Sequence, residues 1–311
     1  MCRSALVALA GMSLLCAADN ENRNGPPETR PNGRGDQVRG ESHGSHSGGG
    51  GGGSTSNNGI FYHGGPVMLG TVNVYYIWYG NWQPCTGSTP AASTCILTDL
   101  ANSIGGSPYF LINSTYYQGS PAVYIGGQVH YAGSATDNYS QGTSLNDNAV
   151  ASIVSSAIAS GQMGPADANG VYFVFTSSDV SETSGFCNQY CGWHTYGTLG
   201  SLNVKFAFVG DPDKCPTACE EQTLVSPNGN TGADGMASIV AHELSEAVTD
   251  PNLNAWYDRR GQENADKCAW KFGSTYDPGN GSQANVQLGS RYFLLQQIWL
   301  NANGGLCALH N

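Results

Sequence analysis

Residues 236–250 read MASIVAHELSEAVTD and are followed by Pro251, which cannot continue a helix. At 100° per residue, one side of the predicted helix is apolar and contains Val240, Leu244, Ala247 and Val248. The opposite side is polar and contains His242, Glu246, Thr249 and Asp250, with Glu243 at its edge. The stretch therefore predicts an amphipathic helix with a His-Glu-x-x-Glu motif on its polar side.

Strands and helices alternate on the N-terminal side of this helix. β-branched and aromatic runs predict strands at 70–80, 122–133, 170–177 and 205–212, the second of them broken at Gly126-Gly127. Helices are predicted near 94–105 and at 144–161, where Ser144 and Asp147 form a capping box, and residues 291–300 suit either structure. This alternation predicts one layered α/β or α+β domain over residues 60–311.

The N-terminal residues differ in composition from this domain. Residues 1–18 combine Arg3 with a short apolar run and small residues, which predicts a signal peptide cleaved after Ala18. Residues 19–59 are rich in glycine and polar residues and predict a disordered tail. Later segments are too interrupted to span a membrane, so we expect a secreted, extracellular protein.

The cysteines after the predicted signal peptide are Cys85, Cys95, Cys187, Cys191, Cys215, Cys219, Cys268 and Cys307. In an exported protein an even number of cysteines favours disulfides. The simplest pairing joins Cys85 to Cys95, Cys187 to Cys191, Cys215 to Cys219 and Cys268 to Cys307, although eight cysteines allow about 105 pairings. A thiolate zinc site at the CxxxC spacings is the alternative.

The charge balance limits the classes of partner. The chain has 12 Lys and Arg against 23 Asp and Glu, a formal net charge of −11. This balance argues against nucleic acid and anionic membrane surfaces, which need basic patches. Sequons at Asn113, Asn138 and Asn280 predict surface loops that could carry glycans.

The His-Glu-x-x-Glu motif differs at one residue from the His-Glu-x-x-His helix of zinc peptidases. Ligands at i and i+4 of a helix converge on one ion, and the glutamate between them can activate the attacking water. The motif therefore predicts His242 and Glu246 as ligands of a zinc ion and Glu243 as a catalytic residue. We assign the third ligand to Glu263, and the less favoured candidates are Asp266, Asp250 and His194.

Carboxylates crowd the segment 242–266, and a bound cation would relieve their repulsion. The alternative is a solvated helix face without a metal and, for His194, a packed structural histidine beside Trp193. Two glutamate ligands would neutralise Zn²⁺ and could admit harder cations such as Mn²⁺ or Ca²⁺. A second acidic group could bind calcium, although its spacing does not match an EF-hand loop: Asp211, Asp213, Glu220 and Glu221.

Several long stretches of the chain resemble one known family. They are GGPVMLGTVNVYYIWYGNW, NGVYFVFTSSDV, GFCNQYCGWHTY, KFAFVGDPDKCPTAC, SPNGNTGADGMASIVAHELSEAVTDPNLNAWYD, ENADKCAWKFG and GGLCAL. Together they resemble the EXORDIUM/phosphate-induced protein family of plants over nearly the whole chain after residue 60. The resemblance implies a secreted cell-wall or apoplastic protein linked to growth and cell expansion.

The motif helix is more distantly similar to zincin-type metallopeptidases, which it matches at His242, Glu243 and Glu246. This similarity implies a zincin-like, disulfide-braced domain. Two functional hypotheses follow. The first is a secreted EXORDIUM-like protein with a divalent-metal site, with zinc as its cofactor, and metallopeptidase-like hydrolysis of a peptide. The second is a non-catalytic wall or matrix glycoprotein that binds polysaccharide or a receptor.

Overall fold

The computed structural model of this chain describes residues 15–16, 32–33, 37–39 and 59–311. The α-helices are α1 (Ser93–Ile104), α2 (Asp147–Ala159), α3 (Pro216–Cys219) and α4 (Thr231–Thr249), and 3-10 helices lie at Phe110–Thr115, Pro212–Lys214 and Asp266–Cys268. The strands are β1 (Leu15–Cys16), β2 (Phe61–Tyr62), β3 (Thr71–Tyr79), β4 (Tyr117–Gln118), β5 (Val123–Tyr124), β6 (Gln128–Asp137), β7 (Ser144–Leu145), β8 (Gly170–Thr176), β9 (Ser181–Glu182), β10 (Gly192–Leu199), β11 (Leu202–Gly210), β12 (Trp256–Tyr257), β13 (Val286–Leu288), β14 (Arg291–Phe293), β15 (Ile298–Leu300) and β16 (Leu306–Ala308).

The core of the fold is one sheet with the strand order β1-β10-β11-β8-β3-β6. Strands β11, β8, β3 and β6 run parallel, whereas β10 is antiparallel to β11 and β1 is antiparallel to β10. Every residue of β8, which reads GVYFVFT, is buried, as expected for a central parallel strand covered on both faces. The predicted single domain of mixed α and β structure is confirmed.

The predicted elements are present with changes at their ends. Glycines 126 and 127 separate β5 from β6, and residues 291–300 form β14 and β15 rather than a helix. The predicted capping box of α2 is wrong, because the side chain of Asn146 caps the helix by accepting a hydrogen bond from Ala149 N at 2.9 Å. Strand β10 was not predicted, since glycines and polar residues interrupt its apolar pattern.

Helix α4 is longer and more deeply buried than its sequence predicts. It begins at Thr231, where the side chain of Asn230 accepts a hydrogen bond from Ala233 N at 3.0 Å. Every residue from 232 to 249 is buried, so the alternative of a solvated polar face is wrong. The helix contacts β10 and β11 on one side and α1 on another. Its polar side chains therefore lie in the protein interior, where burial is costly unless each has a partner.

Four disulfides brace the described domain, and they confirm half of the predicted pairing. Cys85–Cys95 and Cys268–Cys307 form as predicted. The pairs within each CxxxC segment are wrong, because the bonds join Cys187 to Cys215 and Cys191 to Cys219. The loop before β10 lies beside α3, with Cα atoms 5.7 and 5.5 Å apart in the two pairs. Paired in this way, the eight cysteines leave no thiolate zinc site.

Most of the predicted signal peptide 1–18 and of the tail 19–59 lies outside the described residues. The described part of the signal peptide is the edge strand β1, which pairs with β10 and would be removed by cleavage after Ala18. Described residues of the tail contact the domain: Val38 is buried, Arg39 N donates a hydrogen bond to Ala218 O at 2.8 Å, Trp270 Nε1 donates one to Gln37 O at 2.6 Å, and His194 N donates one to Gly33 O at 2.8 Å. The prediction of disorder is therefore wrong at residue 33 and at residues 37–39. Within the described part of the chain, no helix is long and apolar enough to cross a membrane.

Candidate metal centre

Helix α4 packs closely against β10 at Gly192. A Cβ atom at this position would lie 2.5 Å from Ile239 Cγ2 and 3.3 Å from Glu243 Oε1, so a larger residue would push the helix away. His194 lies two residues further along β10 and therefore projects from the same face of the sheet. The close packing brings His194 against the polar side of α4.

His194 meets two glutamates in the protein interior. Its Nε2 atom is 3.2 Å from Glu263 Oε2, 3.3 Å from Glu263 Oε1 and 3.6 Å from Glu246 Oε2. The exposed fraction of each of the three side chains is at most 1%. One ligand atom from each residue lies within 4.8 Å of the other two, which is compatible with a shared ion.

A second group shares Glu246 with the first. His242 Nε2 is 3.1 Å from Glu246 Oε1 and 3.8 Å from Asp266 Oδ1. Backbone contacts hold the acids in place: Asp266 N donates to Glu246 Oε1 at 3.0 Å, and Glu263 N donates to Asp266 Oδ2 at 2.9 Å. We call the five residues His194, His242, Glu246, Glu263 and Asp266 the His/Glu cluster.

The structure groups the predicted site residues differently from the sequence. The predicted ligands His242, Glu246 and Glu263 all lie in the His/Glu cluster, but His242 and Glu263 belong to separate groups. His194 and Asp266, which the sequence favours less, complete those groups. Asp250 belongs to neither group: its Oδ1 accepts hydrogen bonds from Asn254 N and Ala255 N at 2.6 Å each, and its charge acts on the cluster only by helping to raise the pKa of Glu263.

Glu243, the predicted catalytic residue, is completely buried. Its carboxylate lies against Gly192 of β10, so it faces the same strand as the His/Glu cluster. One carboxylate and two potential ligands thus come from a single helix, as the motif predicts.

Burial controls the protonation of the cluster. It lowers the pKa of His194 to about 3, so this imidazole is neutral at physiological pH and its nitrogen lone pair is available to a metal. Burial raises the pKa of Glu246 to about 7, and the charge of Asp266 adds to this shift. Burial and then the charge of Glu246 raise the pKa of Glu263 well above its usual range. A divalent cation would favour the ionised carboxylates again.

A buried amide network next to the cluster was not predicted. Asn264 Nδ2 donates to Asn113 Oδ1 at 2.9 Å, and Asn113 Nδ2 donates to Ser245 Oγ on α4 at 3.3 Å. Asn113 is completely buried, so its prediction as a glycan-bearing surface residue is wrong. Asn138 and Asn280 are exposed, and their glycosylation stays a prediction. Only the tertiary contact to α4 reveals the role of Asn113.

The donor set of the His/Glu cluster fits a divalent metal ion. Imidazole nitrogen and carboxylate oxygen are the ligands that Zn²⁺ and related ions accept in proteins. Glu246 Oε2 is buried and accepts no hydrogen bond in the described chain. The nearest lysine along the chain, Lys267, is paired at 3.1 Å with Asp258, which is not in the cluster. The residues present could therefore hold a cation that balances the buried carboxylates.

The chain is similar to proteins of one family. The family model described as "Phosphate-induced protein 1 conserved region" matches residues 60–303. The chain is 32% identical over 286 residues to Protein EXORDIUM-like 5 of Arabidopsis thaliana, which covers 79% of this chain and 76% of that protein. It is 31% identical over 276 residues to Protein EXORDIUM-like 3 of the same plant, covering 76% and 79% of the two chains.

Protein PHOSPHATE-INDUCED 1 of Nicotiana tabacum is 27% identical over 250 residues, covering 70% of this chain and 74% of that protein. No solved structure is significantly similar to the chain. The family match spans most of the described domain, including β10, α4 and the whole His/Glu cluster. The chain therefore belongs to the phosphate-induced protein 1 family, together with the EXORDIUM proteins.

Proposed function

We propose that this protein is exported, acts in the cell wall or apoplast in growth-related processes, and holds one divalent metal ion, zinc first, in the His/Glu cluster. The convergence of two histidines and three carboxylates from β10, α4 and the loop at 263–266 carries this proposal. Four disulfides and the family relationship support the extracellular location. The parallel sheet with the motif helix packed on its antiparallel strand supports a zincin-like fold.

The hydrolysis of a peptide bond is the reaction that these residues would support. A bound divalent ion would supply Lewis acidity for such a reaction. Glu243 would accept a proton from the attacking water, because it lies on α4 beside the predicted ligands and faces β10. His194 and Glu263 would hold the ion together with Glu246.

The burial of the cluster favours a second candidate function. Four of its five side chains are at most 1% exposed, and that of Asp266 is 12% exposed. A substrate needs access to a catalytic ion, whereas a structural ion is enclosed by its protein ligands. In this second function the ion stabilises a non-catalytic wall protein, which binds polysaccharide or a receptor through its surface.

Metal content tests the shared part of both functions. We expect about one zinc or similar divalent ion per chain in the secreted protein, measured by inductively coupled plasma mass spectrometry. Glu246→Gln should abolish the content, because Glu246 belongs to both groups of ligands. Asp250→Asn is the matched control, since it neutralises a buried carboxylate of the same helix end outside both groups. Metal-free wild-type protein, or equal metal in Glu246→Gln, would end the proposal.

Glu243→Gln separates the two functions. A hydrolase should cleave a peptide library when metal-loaded and should lose that activity in Glu243→Gln without losing the ion. A metal-loaded wild type without activity, indistinguishable from Glu243→Gln, would establish the structural role instead.

Export is tested separately by sequencing the N-terminus of the protein recovered from the medium. It should begin at Asp19, and retention of residues 1–18 would contradict export with cleavage.

A further inference from the structure

The opposite end of α4 holds a second group of acids. Asp211 and Asp213 belong to the 3-10 turn that follows β11, and Glu220 follows α3. They surround the first turn of α4 at Gly232, about 15 Å along the helix from His242 at 1.5 Å per residue. We call Asp211, Asp213 and Glu220 the acidic triad.

Gly232 allows two of these carboxylates to meet over the helix. A Cβ atom there would lie 2.7 Å from Asp211 Oδ1 and 2.6 Å from Asp213 Oδ1. Both oxygens therefore press against the same point of the helix surface, where any side chain would collide with them. Two ionised carboxylates that converge on one point repel each other unless a proton or a cation lies between them.

Glu220 supplies an independent sign of a missing ligand. Its exposed fraction is 1%, and neither carboxylate oxygen has a hydrogen-bond partner at ordinary length and angle in the described chain, although Asp213 and Thr231 lie close enough to shift its pKa. Asp213 and Thr231 lie beside it, so it points into the triad rather than into apolar packing. Burial, followed by the charge of Asp213, raises the pKa of both Asp211 and Glu220 to about 7.

The protein provides no cation for these three acids. Among the described residues, no lysine, arginine or histidine nitrogen forms an ion pair with Asp211, Asp213 or Glu220. The N-terminus of α4 attracts negative charge. The side chain of Asn230 already caps it by accepting a hydrogen bond from Ala233 N. The triad therefore differs from an ordinary capped helix end.

The site is open to ions from solvent on one side. Asp213 is exposed and, with Thr231, lines a cavity of about 500 Å³. Ser226 and Asn230 also line this cavity, so a hydroxyl and an amide group lie on its wall. An ion could enter through this cavity and keep several water molecules as ligands.

We propose that Asp211, Asp213 and Glu220 bind one Ca²⁺ ion at the start of α4. The donors are all oxygen atoms, which hard cations prefer, whereas zinc sites favour nitrogen or sulfur ligands. Calcium also accepts an irregular, partly hydrated site, and Mg²⁺ demands near-octahedral geometry. The ion would tie the turn after β11, the disulfide-bonded helix α3 and α4 together. This site lies apart from the His/Glu cluster and does not depend on its function.

Calcium binding to the full secreted protein tests the proposal. After chelation and dialysis, isothermal titration with CaCl₂ should show one site per chain in the wild type. Glu220→Gln should weaken this binding by at least about tenfold, because it removes the charge and one oxygen ligand. Asp137→Asn, at the end of β6 and outside both acidic groups, is the control and should bind calcium as the wild type does.

A second measurement compares the melting temperatures of the wild type and Glu220→Gln with and without calcium. Without calcium, Glu220→Gln should unfold at a higher temperature than the wild type, since it removes a buried repulsive carboxylate. With saturating calcium the order should reverse. If Glu220→Gln does not fold, Asp213→Asn replaces it, because Asp213 is exposed at the cavity. Wild-type protein without a calcium site, or unchanged affinity in the folded variant, would overturn the proposal.

Discussion

Buried carboxylates near the end of α4 are held in two different ways. In the loop that follows the helix, Asp258 accepts hydrogen bonds from Arg260 N and Gln262 N at 2.8 and 3.0 Å and pairs with Lys267. In the neighbouring His/Glu cluster, the carboxylates of Glu246 and Glu263 face histidines and each other. The protein itself neutralises the loop, whereas the cluster needs protons or a metal ion.

The largest expected effect concerns the loop, where the protein itself neutralises Asp258. Lys267→Met should destabilise the fold by about 3–5 kcal/mol, because it leaves the completely buried carboxylate of Asp258 without its cation. Urea unfolding measures the change, and a chelator should not alter it. Lys271→Met is the control: this exposed lysine should matter by less than about 0.5 kcal/mol. Equal effects of the two variants would contradict the assignment.

The second prediction concerns the His/Glu cluster and uses a chelator. Removing the ion should lower the free energy of unfolding of the wild type by about 3–4 kcal/mol, if the free ion concentration before removal was about 100 to 1,000 times its Kd. The same treatment should leave Glu246→Gln unchanged, since that variant has no ion to lose. Thermal unfolding in buffer with calcium present keeps the acidic triad out of the result. A chelator effect of equal size in both proteins would place the ion elsewhere.

A smaller effect concerns the packing that assembles the cluster. Gly192→Ala should destabilise the protein by about 1–3 kcal/mol, because the new Cβ would overlap Ile239 Cγ2 and crowd Glu243. The shift of α4 away from β10 should also lower the metal affinity. Gly64→Ala is a useful comparison, since a Cβ there meets no atom within 4 Å, although its positive φ of 96° adds some strain. Unchanged metal affinity in folded Gly192→Ala would argue against the close approach.

The pH dependence tests the sign of an effect rather than its size. Folded pKa values of about 7 for Glu246 and Asp250 exceed the ordinary values of 4.5 and 3.8, so the apo protein should lose stability as the pH rises from about 4 to 7. The lowered pKa of His194 opposes this trend below pH 6.5, but it is one group against several carboxyls. With metal bound, stability should rise with pH instead. Melting curves at pH 5 and 7.5, with and without chelator, check the reversal.

The sequence predicted the individual elements better than their surroundings. The apolar run of β8 and the 3.6-residue period of α4 are local properties, and both elements form where these patterns indicate. Strand β10 escaped prediction because Gly192, His194 and Thr195 do not alternate in polarity like an exposed strand. Two disulfides were predicted wrongly for a related reason. Cys191 is the nearest cysteine to Cys187 along the sequence, but the fold pairs Cys187 with Cys215.

The sequence by itself determined the α/β layers, the membership of the phosphate-induced protein 1 family and which side chains of α4 are candidate ligands, because composition, period and motif are properties of consecutive residues. The tertiary structure alone decided that α4 is buried on all sides, that His194 and Asp266 join Glu246, and that the acidic triad meets over Gly232. These contacts join residues that are distant in the chain. No local pattern encodes them, since they arise when the sheet and helix pack together and exclude water from the acids between them.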